Sequence, residues 1–215
     1  MKKIILLGGG GHCKVVIDAL RTYSNIKIVG IVGLKNEVNS RIMDISVIGT
    51  DDDLAMLYKK GIRTAFVTVG SVGNPAKRIR IFKAAKKIGF TFPNIISTHA
   101  VVSKDCSMGE GNYIAPGAVV NAGSKLGDNC IINTGAAVDH DCTVGNFVHV
   151  APGSILSGGV SVGDCSHIGV GASIIQGVTI GKNTIIGTGS VVTKDVKSDV
   201  VAYGVPCKQQ RKTNE

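Results

Sequence analysis

Residues 132–174 read INTGAAVDHDCTVGNFVHVAPGSILSGGVSVGDCSHIGVGASI, and every sixth residue is aliphatic: Ile132, Val138, Val144, Val150, Leu156, Val162, Ile168 and Ile174. The register runs unbroken in both directions, back through Leu126, Val120, Ile114, Met108 and Val102 to Ile96, and forward through Ile180 and Ile186 to Val192. Two residues before each of these stops the side chain is mostly small or β-branched, as at Cys106, Ala118, Ser124, Cys130, Ala136, Cys142, Ser154, Ser166 and Ala172. Glycine often follows the stop, as at Gly109, Gly127, Gly145, Gly163, Gly169, Gly181 and Gly187. A period of six is neither the 3.6 of a helix nor the 2 of a half-buried strand. It is the hexapeptide signature of a parallel β-helix. Three hexads close one triangular coil of about 18 residues, so the register predicts a little over five coils. The aliphatic stops are expected to fill the interior, the small residues to fit the corners, and the glycines to relieve turns of positive φ. No long loop interrupts the register, so any chemistry must be carried by the coils themselves.

The composition agrees with such a solenoid. The chain has 215 residues, 29 of them Gly, with no Trp and only 4% aromatics, so its core must be built from small and branched aliphatics. The formal net charge is +9, but no basic cluster is interleaved with aromatics and no nucleic-acid-binding module is present. The surplus suits a phosphate-rich small ligand such as CoA or a nucleotide sugar better than nucleic acid. No segment reaches the roughly 18 apolar residues of a membrane span. The N-terminus MKKIILLGGGGH lacks a small-residue cleavage site and reads as a first strand, so a cytoplasmic protein is expected. Cys106 and Cys142 share a face two coils apart, roughly 10 Å at strand spacing, which is too far for a disulfide.

Three segments follow from the pattern: residues 1–92, the coils at 93–196, and a C-terminal tail at 197–215. Residues 1–92 lack the six-residue period and alternate strands with helices. Strands are expected at 3–8, 27–32 and 65–70, and helices at about 12–22, 51–60 and, opened by Asn74 as N-cap with Pro75, to about Lys87. This alternation implies a parallel sheet with crossover helices, a Rossmann-like half-domain. Gly8-Gly9-Gly10-Gly11-His12 follows the first strand and opens a helix, where backbone N–H groups suit a phosphate. Cys13 stands at the third glycine of the dinucleotide fingerprint, and no acid ends the second strand to hold a ribose. A mononucleotide or nucleotide sugar is therefore expected, not NAD.

Among the histidines, His140 with its neighbour Asp141 is the candidate catalytic pair. It stands in the polar part of a hexad, a histidine can take a proton from an attacking amine or hydroxyl, and an adjacent acid can orient the ring. His149 lies nine residues on, half a coil away, and can meet His140 only across a subunit interface. His149 and His167 are 18 apart and should stack on one face. They lack further ligands, so no metal is expected.

GGGGHCKVVIDAL at the start, INTGAAVDHDCTVGNFVHVAPG in the coils and GVPCK near the end together resemble the bacterial sugar acetyltransferases of the PglD/NeuD type. The resemblance spans essentially the whole chain. It implies a homotrimer of a Rossmann-like domain joined to a left-handed β-helix, with each active site between adjacent subunits. It also implies acetyl-CoA as co-substrate and a nucleotide-linked 4-amino-deoxysugar as acceptor, for a surface polysaccharide such as lipopolysaccharide O-antigen or another glycan. His140 matches the family's general base and Asp141 the acid that raises its basicity. His149 matches a contact to the thioester region, Asn133 the wall of the site, and Gly158, Val170 and Gly187 the backbone beside the pantetheine arm. Gly10, Gly11 and His12 match the acceptor-nucleotide loop, and Gly70 a contact after the third strand. Relatives that bind UDP-sugars often end the second strand with an acidic pair, whereas this chain has Gly33-Leu34, which leaves a dTDP- or GDP-sugar open. O-acetylation of a sialic acid or another sugar is the alternative within the scaffold, and a non-catalytic structural trimer the alternative outside it.

Overall fold

The computed structural model describes residues 1–213. The chain divides into two compact units, one of Met1–Ser71 with Pro75–Ile95, the other of Val72–Asn74 with the chain from Ile96 onward.

In the first unit the strands are β1 (Lys2–Leu7), β2 (Ile26–Val32), β3 (Arg41–Ile42), β4 (Ile45–Gly49) and β5 (Thr64–Val67), and the helices α1 (Gly11–Arg21), α2 (Leu54–Lys59) and α3 (Ala76–Ile88). The sheet order is β3-β4-β2-β1-β5. β1 lies between β2 and β5 and is parallel to both, and β2 is parallel to β4. Ile4, Ile5, Leu6 and Leu7 are all fully buried, as an unbroken apolar run requires when helices cover both faces of a strand. The parallel core is the one the alternation predicts. The antiparallel β3–β4 pair is additional, and its strands are too short to show a period. β5 ends at Val67 rather than at residue 70, and the chain turns there as Thr68 Oγ1 donates to the Gly8 carbonyl at 2.6 Å. α3 opens one residue later than expected: Pro75, not Asn74, occupies the cap position, and its carbonyl accepts from Ile79 N–H at 2.9 Å.

The second unit is a left-handed parallel β-helix of three sheets, each built from two-residue strands that recur every 18 residues in parallel register. The first sheet runs from Val101–Val102 to Val191–Val192, the second from Ser107–Met108 to Thr179–Ile180, and the third from Ile95–Ile96 to Ile185–Ile186. The stops from Ile114 to Val192 form one continuous buried column, packed with Ala118, Cys130, Ala136, Cys142 and Ala172. Each fully buried Val, Leu or Ile contributes roughly 1.5–3 kcal/mol. The segment expected as a tail instead extends the third sheet: Val200–Gly204 pairs with Ile185–Ile186, and Cys207–Lys212 returns as a hairpin partner.

The corners correct one expectation. The glycines that follow the stops do not have positive φ. The left-handed residues come three positions after the stop, and from 111 to 189 every sixth residue is one. Most are Gly, but Asn129, Asp141, Phe147, Cys165 and Asn183 are not. The glycines after the stops serve close approach between coils. A Cβ on Gly169 would lie 2.6 Å from the Ile186 carbonyl oxygen, and one on Gly163 would lie 2.5 Å from the Lys182 nitrogen. Coils spaced as neighbouring strands leave no room for a side chain there.

Candidate active site

Among the left-handed residues of its corner column, Asp141 is the one that is not glycine. Gly123, Gly159 and Gly177, one coil below and one and two coils above, share its left-handed conformation. Asp tolerates this region better than most residues, yet glycine occupies it at no steric cost. At this corner His140 Nδ1 and Asp141 Oδ2 lie 2.8 Å apart, with both side chains more than half exposed. The bond fixes Nδ1 as the protonated nitrogen facing the carboxylate and leaves Nε2 as the basic one. The imidazole lies over Gly158, one coil on: a Cβ there would meet His140 Nε2 at 2.5 Å and Cε1 at 2.6 Å.

A second carboxylate supports the ring. Asp139 Oδ1 accepts from the His140 backbone N–H at 2.8 Å and from Asn121 Nδ2, one coil below, also at 2.8 Å. The Asn121 amide, with the His140 N–H, holds the Asp139 carboxyl below the usual carboxylate range. Ser124 Oγ donates to the Asp139 carbonyl at 2.6 Å. The hydrogen bond to Asp141, followed by the charge of Asp139, raises the His140 imidazole above its ordinary value. Asn121 and Asp139 were not among the residues expected from sequence. Their separation of 18 is the signal, since the coil period places them one above the other.

The remaining coil residues gather along a different edge. Asn133 Nδ2 and His149 Nε2 are 3.0 Å apart, and His149 stacks edge-on against His167 with ring centroids at 4.9 Å. Both histidines are 8% exposed, and burial lowers the His167 pKa. Gly169 and Gly187 continue the Asn133 column at steps of 18, and exposed Val170 follows on the same edge. Gly187 lies against Tyr203, whose Cβ would be 2.6 Å from an added Cβ. Asn133, His149, Val170 and Gly187 thus share one edge, whereas Gly158 belongs with His140 and Asp141 on the next. The first sheet lies between these edges. Its outward residues include Val101, Val119, Ala137, Ile155 and Val191, with Val101 64% and Ile155 47% exposed.

In the first unit a cavity of about 400 Å³ opens over the glycine loop. Gly10, Gly11, His12 and Gly70 all line it, and α1 begins at its wall. Lys77 and Arg80, from the start of α3, bring positive charge to it. Glu37 and Asp51 are also present, and Arg80 pairs with Asp51 at 3.2 Å. Glu37 reaches the cavity because Lys35–Glu37 form one turn of 3-10 helix after β2. No sequence period marks such a turn. The basic groups and the backbone N–H groups at a helix start suit a diphosphate.

A family model for the PglD N-terminal domain matches residues 3–85. No curated protein matches the sequence. Among solved structures, a histidine-to-asparagine mutant of perosamine N-acetyltransferase from Caulobacter crescentus, in complex with CoA and GDP-perosamine, is 41% identical, with a TM-score of 0.91 over 97% of this chain and 96% of that one. The acetyltransferase domain of PglB from Neisseria gonorrhoeae, in complex with acetyl coenzyme A, is 37% identical, with a TM-score of 0.86 over 97% of this chain and 99% of that one. WeeI from Acinetobacter baumannii is 25% identical, with a TM-score of 0.81 over 97% of this chain and 100% of that one.

Proposed function

The chain belongs to the PglD-type family of sugar acetyltransferases, and we propose that it transfers an acetyl group from acetyl-CoA to the amine of a GDP-linked 4-amino-deoxysugar, with His140 as general base. The observation that carries this reading is the His140–Asp141 bond of 2.8 Å at an exposed corner, where Asp141 replaces the glycine found on either side. The GDP-perosamine complex of the Caulobacter relative supports the choice of acceptor.

The reaction needs no covalent enzyme intermediate. The acceptor nitrogen forms a bond to the thioester carbonyl carbon, and His140 Nε2 takes the proton that the nitrogen loses. Nδ1 stays bonded to Asp141, whose charge stabilises the imidazolium as it forms. The carbon–sulfur bond then breaks, and the imidazolium returns its proton to the departing CoA thiolate. Asn133 and His149 contact the thioester region, and Val170 and Gly187 border the pantetheine arm. Gly158 gives the imidazole its seat. Gly10, Gly11, His12 and Gly70 hold the acceptor nucleotide, with Lys77 and Arg80 offsetting its diphosphate charge.

The enzyme acts as a homotrimer with each active site between adjacent subunits. The apolar outer face of the first sheet supports this, because a second copy packed there buries Val101 and Ile155 and brings its neighbour to both flanking edges. The product is a precursor of a surface glycan, formed in the cytoplasm.

The test is a CoA-release assay with a panel of acceptors: GDP-, UDP- and dTDP-linked 4-amino-sugars, and free sialic acid. One CoA released per N-acetylated GDP-sugar is the expected result. Turnover only on sialic acid, with the acetyl on oxygen, contradicts the reading, and so does an absence of turnover on every acceptor.

A further inference from the structure

Gly33 and Leu34, which follow β2, carry no acid, yet a carboxylate reaches the end of that strand. Glu37 Oε2 accepts from Leu34 N–H at 2.8 Å, which turns the side chain back over the end of β2. A Cβ on Gly33 would lie 2.7 Å from that oxygen, and one on Gly9, in the glycine loop, 3.2 Å from it. The carboxylate therefore fills the space that any side chain at residue 33 would occupy, directly beside the loop. In a βαβ nucleotide site the loop holds phosphate, and a carboxylate at the end of the second strand accepts from the ribose hydroxyls one group farther out. The other cavity carboxylate, Asp51, is already paired with Arg80. A carboxylate offers about four acceptor positions, and Leu34 N–H uses one of them.

We propose that Glu37 is the ribose-binding carboxylate of the acceptor site, and that it makes the enzyme selective for a ribonucleotide-linked sugar over a thymidine-linked one. This rests on the nucleotide-sugar reading above and goes beyond it in assigning the sugar of the nucleoside and the residue that reads it. A 2′-deoxynucleotide gives the carboxylate one hydroxyl where a ribonucleotide gives two. A site built around a charged acceptor rejects an analogue that lacks the matching donor.

The test is calorimetric titration of the full-length protein with GDP and with 2′-deoxy-GDP, then the same pair with Glu37→Gln. The amide oxygen of Gln still accepts from Leu34 N–H, so the turn is kept while the charge is removed. The wild type is expected to bind GDP about tenfold more tightly than 2′-deoxy-GDP, and the gap is expected to shrink to less than about threefold in the variant. Equal affinities in the wild type overturn the assignment with the nucleotide-sugar reading intact, and an undiminished gap in a folded Glu37→Gln protein overturns the role of Glu37. Failure of both nucleotides to bind the wild type overturns the assignment and that reading together.

Discussion

In the coils a polar group is placed by arithmetic, whereas in the N-terminal unit it is placed by a local turn. Asn121 meets Asp139, Gly158 meets His140 and His149 meets His167 because each pair is one period of 18 residues apart. Once the period is known, the neighbour of every corner residue is known too. Glu37 reaches the cavity by a different route: a single 3-10 turn folds it back onto Leu34 and beneath the glycine loop. Nothing in its spacing from Gly9 or Gly33 announces the contact. The two regions also differ in tolerance. A coil corner is fixed by the coils above and below it, while the cavity wall depends on a turn that one substitution can release.

That contrast is sharpest at Gly158. Gly158→Val forces a side chain into the space of the imidazole, 2.5 Å from Nε2. Turnover is expected to fall by about a hundredfold, in line with loss of a positioned base, while GDP affinity stays as in the wild type. Steady-state kinetics with calorimetry on the same protein reads both. A loss of nucleotide affinity would show that the coil corner and the cavity are not separable in function.

Glycines of the two kinds in the coils should differ next. Gly169→Ala places a Cβ 2.6 Å from the backbone of the following coil and should cost about 3 kcal/mol. Gly159→Ala keeps open space around the Cβ but must hold φ near +68°, and should cost about 1 kcal/mol. Denaturant unfolding of both variants measures the difference, and equal costs would mean that coil spacing adapts to a methyl group.

The smallest expected effect is on pH dependence. His140 must be neutral to act as base, so kcat/KM rises with pH through its pKa, which Asp141 and Asp139 hold above the ordinary value. Asp141→Asn removes the larger contribution, and Asn accepts the left-handed conformation at that corner. The acidic limb of the profile is expected to move to lower pH, with a lower plateau because the imidazolium loses its partner. A limb that stays in place would assign the titration to another group.

The parts read from sequence and the parts missed divide along the same line. The unbroken column from Ile96 to Val192 makes the β-helix legible, and the polar pair His140-Asp141 stands out against it. The stacking of His149 on His167 follows from their separation alone. The glycines after the stops are required by the neighbouring coil and not by their own dihedrals, and sequence reports that a residue is small without reporting which of the two demands it. The hairpin at 200–212 and the β3–β4 pair carry no usable period, so the sequence does not mark them. Asp139 is not legible in the same way: in a run of Asp-His-Asp either acid could serve the histidine, and only the contacts to Asn121 and to the His140 N–H distinguish the role of Asp139 from that of Asp141.

The most direct test of the account is the steady-state kinetics of His140→Ala with acetyl-CoA and a GDP-linked 4-amino-sugar. The prediction is a fall in kcat on the order of 10²–10⁴, with KM for the GDP-sugar within about twofold of the wild type and the fold intact. Wild-type turnover, or a raised KM at unchanged kcat, would contradict the assignment of His140 as the base.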